Sequence, residues 1–390
     1  MTIRFLRVLW MFGTIYVSYM LQFGLVRVFR RRGRPLPPWL KARRGSLDER
    51  NARRLLRGML RLRGVFIKLG QVHAAVTKDG QRVAVKVLYP RIRDVIKVDM
   101  RALEVAILFL RRWLPQRNLE TVHRSLVDLL RRETDYVHEA ACMERMAKNF
   151  ADEPDILFPS VVHEWTTADI LTMSFMEGVK ITRLDELDRL GIDRTRLATR
   201  LVQSFYKQLF VDRFFHADPH PGNFLVQKGP SGEPRIVVLD FGAISEVSDE
   251  LVDGALQVLQ GIMTADGAMA LKGFRGMGFV AEGANEELLE QTVMTYFRKL
   301  LKVKDHSVGA LIRADRRQLE KLANPEMERA ELQELMRSIA YPEGWFYVER
   351  ASVIAFWLVG QIDPELDTMS IGVPYVLPLV VMRQMKAMAG

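Results

Sequence analysis

An alternation of apolar and polar residues predicts two short strands, Val72–Val76 and Arg82–Leu88. The connection between them, Lys78–Gln81, contains an Asp-Gly pair. Such a pair favours a tight β-hairpin because glycine accepts a positive φ at no steric cost. Pro90 follows and ends the second strand. The pattern therefore predicts a hairpin in the first third of the chain.

Longer segments repeat their apolar residues with helical spacing. They predict two long helices, Ile92–Leu114 and Leu119–Phe150, which are separated at Pro115. Two further apolar runs, Val161–Trp165 and Ile170–Phe175, predict another pair of strands.

The second half of the chain predicts mainly helices from Thr195 onward, interrupted by two short strands, Phe224–Val226 and Ile236–Leu239. A strand-containing segment followed by a mostly helical one is typical of an α+β protein with two lobes. We place a small N-lobe at residues 47–178 and a helical C-lobe at 179–390, with Met176–Gly178 as the linker.

The N-terminal segment 1–46 has a different character. Val8–Val26 is an uncharged stretch of nineteen residues, at the lower limit for a helix that spans a bilayer. Arginines flank it on both sides, and the block that follows predicts a cytoplasmic main body and attraction to anionic lipid. We predict a membrane-associated helix here, either spanning or lying in the interface. A soluble core helix and a nucleic-acid-binding arm are the alternatives, and we expect no nucleic-acid partner.

Charge supports this division of the chain. The net charge is +10, but residues 1–63 carry sixteen Lys and Arg against two acids, so the remainder is slightly acidic. Cys142 is the single cysteine, which excludes an intramolecular disulfide and a cysteine-only zinc site.

Three local patterns point to phosphoryl chemistry. The first is Val83–Lys86, which places a lysine on the apolar strand Arg82–Leu88; this is an ordinary surface lysine or one that contacts nucleotide phosphates. The second is the loop His216–Asn223, in which Asp218 and Asn223 have the spacing of a kinase catalytic loop. In such a loop the Asp positions the attacking hydroxyl and the Asn holds Mg²⁺.

The third pattern is Asp240-Phe241-Gly242 after an apolar strand, where the Asp of a kinase chelates Mg²⁺. Each pattern alone is weak. Together, Lys86, Asp218, Asn223 and Asp240 follow one another in the order of a kinase, which predicts an ATP- and Mg²⁺-dependent site.

The sequence around these motifs resembles the UbiB/AarF family of atypical, kinase-like proteins linked to ubiquinone biosynthesis. The resemblance is carried by Lys68-Leu69-Gly70-Gln71 (K-x-G-Q), Glu133-Thr134-Asp135 (E-x-D), Glu139, the His216–Asn223 loop and Asp240-Phe241-Gly242. It extends from about Val65 to Val247 and implies a two-lobed kinase-like fold that binds Mg-ATP at a membrane.

The resemblance also implies residue roles. Lys86 is expected to be the nucleotide lysine and Asp218 the catalytic Asp, with Asn223 and Asp240 as the Mg²⁺ ligands. The ion partner of Lys86 is Glu139 or Glu133, of which we favour Glu139. Lys68 and Gln71 would lie over the site against Glu133 and Asp135. Such an arrangement favours ATPase or small-molecule chemistry over protein phosphorylation. Membrane lipid and lipid-quinone pathway proteins are the implied partners.

The chain departs from the family at one point. Gln71 ends K-x-G-Q and also begins the Gln-Val-His strand, so the segment that covers the nucleotide in the family is missing. An internal deletion, a sequence error or a degenerate member acting as a scaffold would each explain this. Two other functions stay open: a metal-dependent hydrolase built on His216, Asp218 and His220, and a phosphotransferase for small hydroxyl compounds.

Overall fold

A computed structural model describes residues 69–110, 116–264, 266–301 and 337–389, together with scattered positions between 10 and 51 and residues 334 and 335. The chain divides into two compact units. The first comprises Met1–His73 and Lys86–Thr134, and the second Ala74–Val85 and Asp135–Gly390. The lobe boundaries expected from the sequence, at 46 and 178, stay predictions.

The predicted hairpin is present. Strand β1 (Gly70–Val76) begins two residues earlier than predicted, and β2 (Arg82–Leu88) has the predicted bounds. Gly80 closes the turn with a φ of 83°, and the Thr77 amide donates to the Gln81 carbonyl at 2.9 Å. The tip of the hairpin belongs to the second unit, and its base to the first.

Two helices of the first unit follow the hairpin, α1 (Ile92–Leu110) and α2 (Gln116–Arg132). The buried residues Ile92, Ile96 and Met100 recur every four positions along α1, the spacing of an apolar helix face. Inside this unit the Arg93 side chain donates two hydrogen bonds, of 2.7 and 3.1 Å, to the carbonyl of Thr134.

The single helix predicted over Leu119–Phe150 is wrong. The chain leaves the helix after Arg132 and re-enters it as α3 (Tyr136–Asn149). The Asp135 side chain caps α3 by accepting from the amides of Val137 and His138 at 3.1 and 3.2 Å. A capping carboxylate satisfies amides that the first helical turn leaves unpaired, so Asp135 fixes the position of the break.

The second unit continues with short strands and helices. In chain order they are β3 (Ile156–Leu157), β4 (Ile170–Ser174), β5 (Val179–Lys180), α4 (Leu184–Arg189), α5 (Arg194–Tyr206), β6 (Phe214–His216), β7 (Phe224–Lys228), β8 (Pro234–Val238), β9 (Ile244–Glu246), α6 (Asp249–Met263), α7 (Gly267–Gly276), α8 (Glu286–Leu301), α9 (Trp345–Ile362) and α10 (Thr368–Ala389).

One predicted strand is largely wrong. Val161 forms an isolated bridge to Met173, but His163–Trp165 is a 3₁₀ turn. Thr172 Oγ donates to the Trp165 carbonyl at 2.8 Å, which draws the segment away from an extended path. Ile170–Ser174 is the strand expected there, and it lies beside β2 in a sheet of order β1-β2-β4.

The sheet that carries the site has four strands in the order β3-β8-β7-β5. Strands β7 and β8 are antiparallel, and Phe224 lies opposite Val238. The short β3 runs parallel to β8, and β5 pairs antiparallel with β7. Because β7 and β8 are the inner strands, Val226, Ile236 and Val237 are buried. Strand β6, which precedes β7 in the chain, pairs antiparallel with β9, which follows β8, and the two form a separate sheet.

Helices surround these sheets. Helix α5 contacts α9 and α10, and α6 packs along α7. A π-helical turn, Lys207–Val211, extends α5 toward β6. Helix α10 contains Pro374 and Pro378.

Among the residues described, none of the helices combines the length and the apolar character that crossing a membrane requires. Eight of the nineteen residues of the Val8–Val26 segment lie outside the described residues. The membrane-associated helix predicted there therefore gains no support from the structure.

Candidate active site

The loop after β6 is held by its own hydrogen bonds. The Ala217 amide donates to the Ala243 carbonyl at 2.7 Å, which continues the β6-β9 pairing up to the loop. The His220 amide then donates to the Asp218 carbonyl at 2.6 Å, and the Asn223 amide to the His220 carbonyl at 2.9 Å. Two prolines, Pro219 and Pro221, restrict φ between these bonds. The loop therefore presents Asp218 and Asn223 from a preorganised backbone.

Asn223 joins the loop to the end of β8. Its carbonyl accepts from the Leu239 amide at 2.9 Å, and its side-chain Nδ2 donates to the Asp218 carbonyl at 3.1 Å. Because a carbonyl faces the amide group, Nδ2 must be the atom on that side. The arrangement leaves the side-chain oxygen, Oδ1, as the donor atom for a metal ion.

Asp240 follows directly after Leu239, so the register of β7 and β8 brings it beside Asn223. Its Oδ1 accepts from the Gly242 amide at 3.1 Å. The adjacent Phe241 ring is fully buried. The Phe241 amide donates to Oε1 of the buried Glu139 at 3.1 Å, which anchors Asp240-Phe241-Gly242 to α3.

His216 lies beneath the loop and is 4% exposed. Burial lowers the pKa of its imidazole, because desolvation penalises the charged form more than the nearby carboxylates of Asp240 and Asp218 favour it. Nδ1 accepts from the Asp218 amide at 3.4 Å, while Nε2 has no hydrogen-bond partner in the part of the chain that the structure describes. A neutral imidazole therefore supports the catalytic-loop backbone from below.

Gln208 on the π-helical turn also supports the loop, and nothing in the sequence indicated it. Its Oε1 accepts from the His216 amide at 2.9 Å. π-helical turns often mark functional regions because they redirect side chains that an α-helix would place elsewhere. The turn itself was the missed feature, since its residues read as a continuation of the helix before it.

A cavity of about 20 Å³ adjoins His216 behind the loop. Its lining includes Gln208, Phe224 and Phe241. The volume is that of about one water molecule, so it is too small for a substrate.

Arg350 is the second feature that the sequence did not indicate. It lies on α9, and its Nη2 pairs with Oδ2 of Asp218 at 2.9 Å. A lone arginine in an apolar helix carries no motif, so only the fold reveals the pair.

The remaining predicted residues belong to the first unit, lie outside the described residues or have a structural contact of their own. Lys86 is half-buried on β2 and belongs to the first unit, as do Gln71 and Glu133. Gln71 Nε2 donates to the hydroxyl of Tyr89 at 3.2 Å, across the base of the hairpin. Lys68 lies outside the described residues. The pairing of Lys86 with Glu139 or Glu133 stays a prediction.

Asp135, the last residue of E-x-D, is the N-cap of α3 described above. Capping the helix does not depend on a contact with Lys68. The cap alone therefore explains why an acid occupies this position of the motif. Its regulatory role against K-x-G-Q stays a prediction.

The hydrolase alternative finds no support. Within the described residues no group of three or more His, Cys, Asp or Glu side chains is arranged to hold a metal ion. His220 is exposed, and its Nδ1 accepts from the Gly222 amide at 3.1 Å, whereas His216 is buried. These two rings therefore serve the loop backbone.

Comparisons with known proteins show the family of the chain. Residues 68–272 match the ABC1 atypical kinase-like domain. The chain is 31% identical over 337 residues to Protein ACTIVITY OF BC1 COMPLEX KINASE 8, chloroplastic, from Arabidopsis thaliana, a match over 81% of this chain and 44% of that protein. It is 34% identical over 182 residues to AarF domain-containing kinase 1 from Drosophila melanogaster, covering 47% of this chain and 35% of that protein.

Among solved structures, the chain resembles the Rv3197–erythromycin complex from Mycobacterium tuberculosis, with a TM-score of 0.55 and 21% identity over 78% of this chain and 74% of that one. That likeness shows a shared α+β kinase-like fold. The chain spans less than half the length of both relatives named above. The domain match covers K-x-G-Q, E-x-D, the catalytic loop and Asp240-Phe241-Gly242, and the chain belongs to the ABC1/AarF family of atypical kinase-like proteins.

Proposed function

We propose that this protein binds Mg-ATP and transfers its terminal phosphoryl group to water or to a small hydroxyl acceptor. One observation carries the proposal. Two hydrogen bonds link the segments that carry Asp218, Asn223 and Asp240: the Asn223 side chain donates to the Asp218 carbonyl, and the amide of Leu239, the residue before Asp240, donates to the Asn223 carbonyl. One acid beside two oxygens that could bind a metal ion is the set of groups that phosphoryl transfer requires.

The residues present fit Mg²⁺. Magnesium is usually bound by one or two protein oxygens, and nucleotide phosphates and water complete its octahedron. Asp240 supplies a carboxylate and Asn223 an amide oxygen, so a dedicated cluster of three acidic or histidine ligands is not needed. When bound, the ion would neutralise charge on the β- and γ-phosphates. Asp218 would accept the proton of the attacking oxygen.

Lys86 and the choice of acceptor enter the proposal from sequence alone. The motif order assigns Lys86 to the nucleotide phosphates. The family resemblance suggests a role in ubiquinone or another isoprenoid-lipid pathway. The basic N-terminal segment, with sixteen Lys and Arg against two acids, suits a membrane with anionic lipid.

The catalytic part is tested by ATP hydrolysis with the purified full-length chain in detergent and Mg²⁺. Asp218→Asn should lower kcat by about 10²- to 10⁴-fold, the range for loss of a positioned acid–base group. Asp253→Asn, a change to another acid of the same unit, should keep the wild-type rate. Equal rates in wild type and Asp218→Asn would contradict the proposal.

The membrane part is tested separately by flotation with vesicles. The full chain should float with vesicles that contain anionic lipid, and less so as salt is raised, because screening weakens the attraction. If the chain floats with neither anionic nor neutral vesicles at any salt concentration, the membrane role is contradicted. That result would leave the proposed nucleotide chemistry untouched.

A further inference from the structure

The side chain of Arg350, a residue far from the catalytic loop in the sequence, places a positive charge beside that loop. The loop itself, His216–Asn223, contains neither Lys nor Arg. Arg350 on α9 pairs with Asp218 at 2.9 Å, and the two side chains are 27% and 26% exposed. A half-buried guanidinium is thereby held beside the group expected to receive the proton of the attacking oxygen.

Only one of the two terminal nitrogens of the guanidinium takes part in this ion pair. Nη2 contacts Oδ2 of Asp218, whereas Nη1 is buried and has no hydrogen-bond partner among the residues that the structure describes. A buried charged donor without a partner is destabilising, and a structural ion pair has no reason to retain one. The planar guanidinium can bind two acceptors at once, and phosphate oxygens are among its preferred partners.

The surrounding charges support the same reading. Asp218, Asp240 and Arg350 all influence the pKa of the buried imidazole of His216, the two carboxylates raising it and the guanidinium lowering it. His220, the other basic side chain on the loop, is engaged through Nδ1 by the Gly222 amide. Among the described residues, Arg350 thus contributes a charged nitrogen, Nη1, that has no acceptor.

We propose that Arg350 is a catalytic residue that binds the transferring phosphoryl group. Nη2 stays on Oδ2 of Asp218, and Nη1 donates to a non-bridging oxygen of the γ-phosphoryl group. The inference rests on the proposed function. The attacking oxygen bonds to the γ-phosphorus and its proton passes to Oδ1 of Asp218. The bond from phosphorus to the β–γ bridging oxygen breaks, and its electron pair leaves with ADP.

The kinetic test compares wild type with Arg350→Ala and Arg350→Lys in MgATP hydrolysis. Loss of one donor to a developing charge costs about 10²- to 10³-fold in kcat. We expect this loss in Arg350→Ala with KM changed by less than about threefold, because the contact strengthens only in the transition state. Arg350→Lys should recover little, since an ammonium cannot bridge both groups in the same geometry. Arg200→Ala, which removes an arginine paired with Asp155 at 2.7 Å, is the control and should keep the wild-type rate.

A second measurement does not depend on turnover. Thermal stability is recorded with MgADP alone and with MgADP plus aluminium fluoride, a mimic of the phosphoryl group in transfer. We expect MgADP to stabilise wild type and Arg350→Ala equally, and aluminium fluoride to add a further shift in wild type that Arg350→Ala loses. An equal fluoride-dependent shift in both proteins, or none in wild type, would overturn the role of Arg350 and leave nucleotide binding intact. Failure of MgADP to stabilise wild type would instead remove the proposed function and this inference with it.

Discussion

The two hairpins that carry the kinase motifs differ in how firmly they are held. The β1–β2 hairpin carries Lys86, and its outer strand β1 is exposed from Gln71 to Val76. The β7–β8 hairpin connects Asn223 to Asp240, and its strands are the inner pair of a four-stranded sheet. The first hairpin therefore includes an exposed edge strand, whereas both strands of the second are inner strands.

This difference indicates what each hairpin contributes. Metal ligands must be held within a fraction of an ångström, and buried inner strands provide such rigidity. A lysine that acts as a point charge tolerates more movement. The apolar residues on β1, Val72 and Val76, are also exposed, and natural edge strands seldom leave such residues uncovered. The loss of a nucleotide-covering segment, inferred from the sequence, stays a prediction.

The largest expected effect comes from the same substitution made in each hairpin. Val237 on β8 is 0% exposed, and Val72 on β1 is 60% exposed. Val237→Ala should lower the free energy of unfolding by about 2–3 kcal/mol, because it removes buried methyl groups and leaves a cavity. Val72→Ala should change it by less than about 0.5 kcal/mol. Urea unfolding of both variants checks this, and similar losses would show that the two hairpins are equally packed.

The second effect concerns the anchor of Asp240-Phe241-Gly242. Glu139→Ala leaves the buried Phe241 amide without its acceptor, which should cost about 1–3 kcal/mol. Glu139→Gln keeps a side-chain carbonyl at the same position and should lose less. Urea unfolding again separates the two variants. Identical losses would mean that the carboxylate acts through its other contacts and not through this hydrogen bond.

The smallest effect is a dependence of stability on pH. Because burial lowers the pKa of His216, the unfolded chain takes up a proton near pH 6.5 that the folded protein does not bind. The contribution of His216 to stability is therefore complete above pH 6.5 and falls as the pH drops below it. His216→Asn keeps a side-chain acceptor for the Asp218 amide but removes this proton uptake.

Melting temperatures measured between pH 7.5 and 5.5 test this expectation. The decline on acidification should be shallower in His216→Asn than in wild type. His220→Asn, at an exposed ring, should keep the wild-type decline. If the melting temperature falls equally with pH in His216→Asn and in wild type, groups other than His216 cause the acid sensitivity.

The sequence predicted best where a single pattern decided the structure. The bounds of β2 and the start of α1 followed from the alternation of residues, the Asp-Gly turn and Pro90. Strands β3 and β5 have two residues each, which is too short for any periodicity to show. The break before α3 was hidden because apolar residues continue with helical spacing on both sides of it. Only the capping contacts of Asp135 reveal where it falls.

The residues of the site also differ in how far the sequence predicts them. The order Lys86, Asp218, Asn223 and Asp240 was readable because kinase motifs are local and have fixed spacing. Arg350 and Gln208 were not, because each reaches the loop from another helical segment through a contact that only the folded chain creates. Charge complementarity between residues far apart in sequence leaves no periodic signal.

The central claim, a Mg-nucleotide site built on the β7–β8 hairpin, is tested most directly by thermal stability with MgADP or MgATP. Ligand at about 100 times its Kd should stabilise the folded protein by roughly 2.7 kcal/mol. We predict a magnesium-dependent rise in Tm that Asp240→Asn abolishes and that Asp79→Asn, at the exposed turn of the other hairpin, retains. No shift at millimolar nucleotide, or an equal shift in Asp240→Asn, would contradict it.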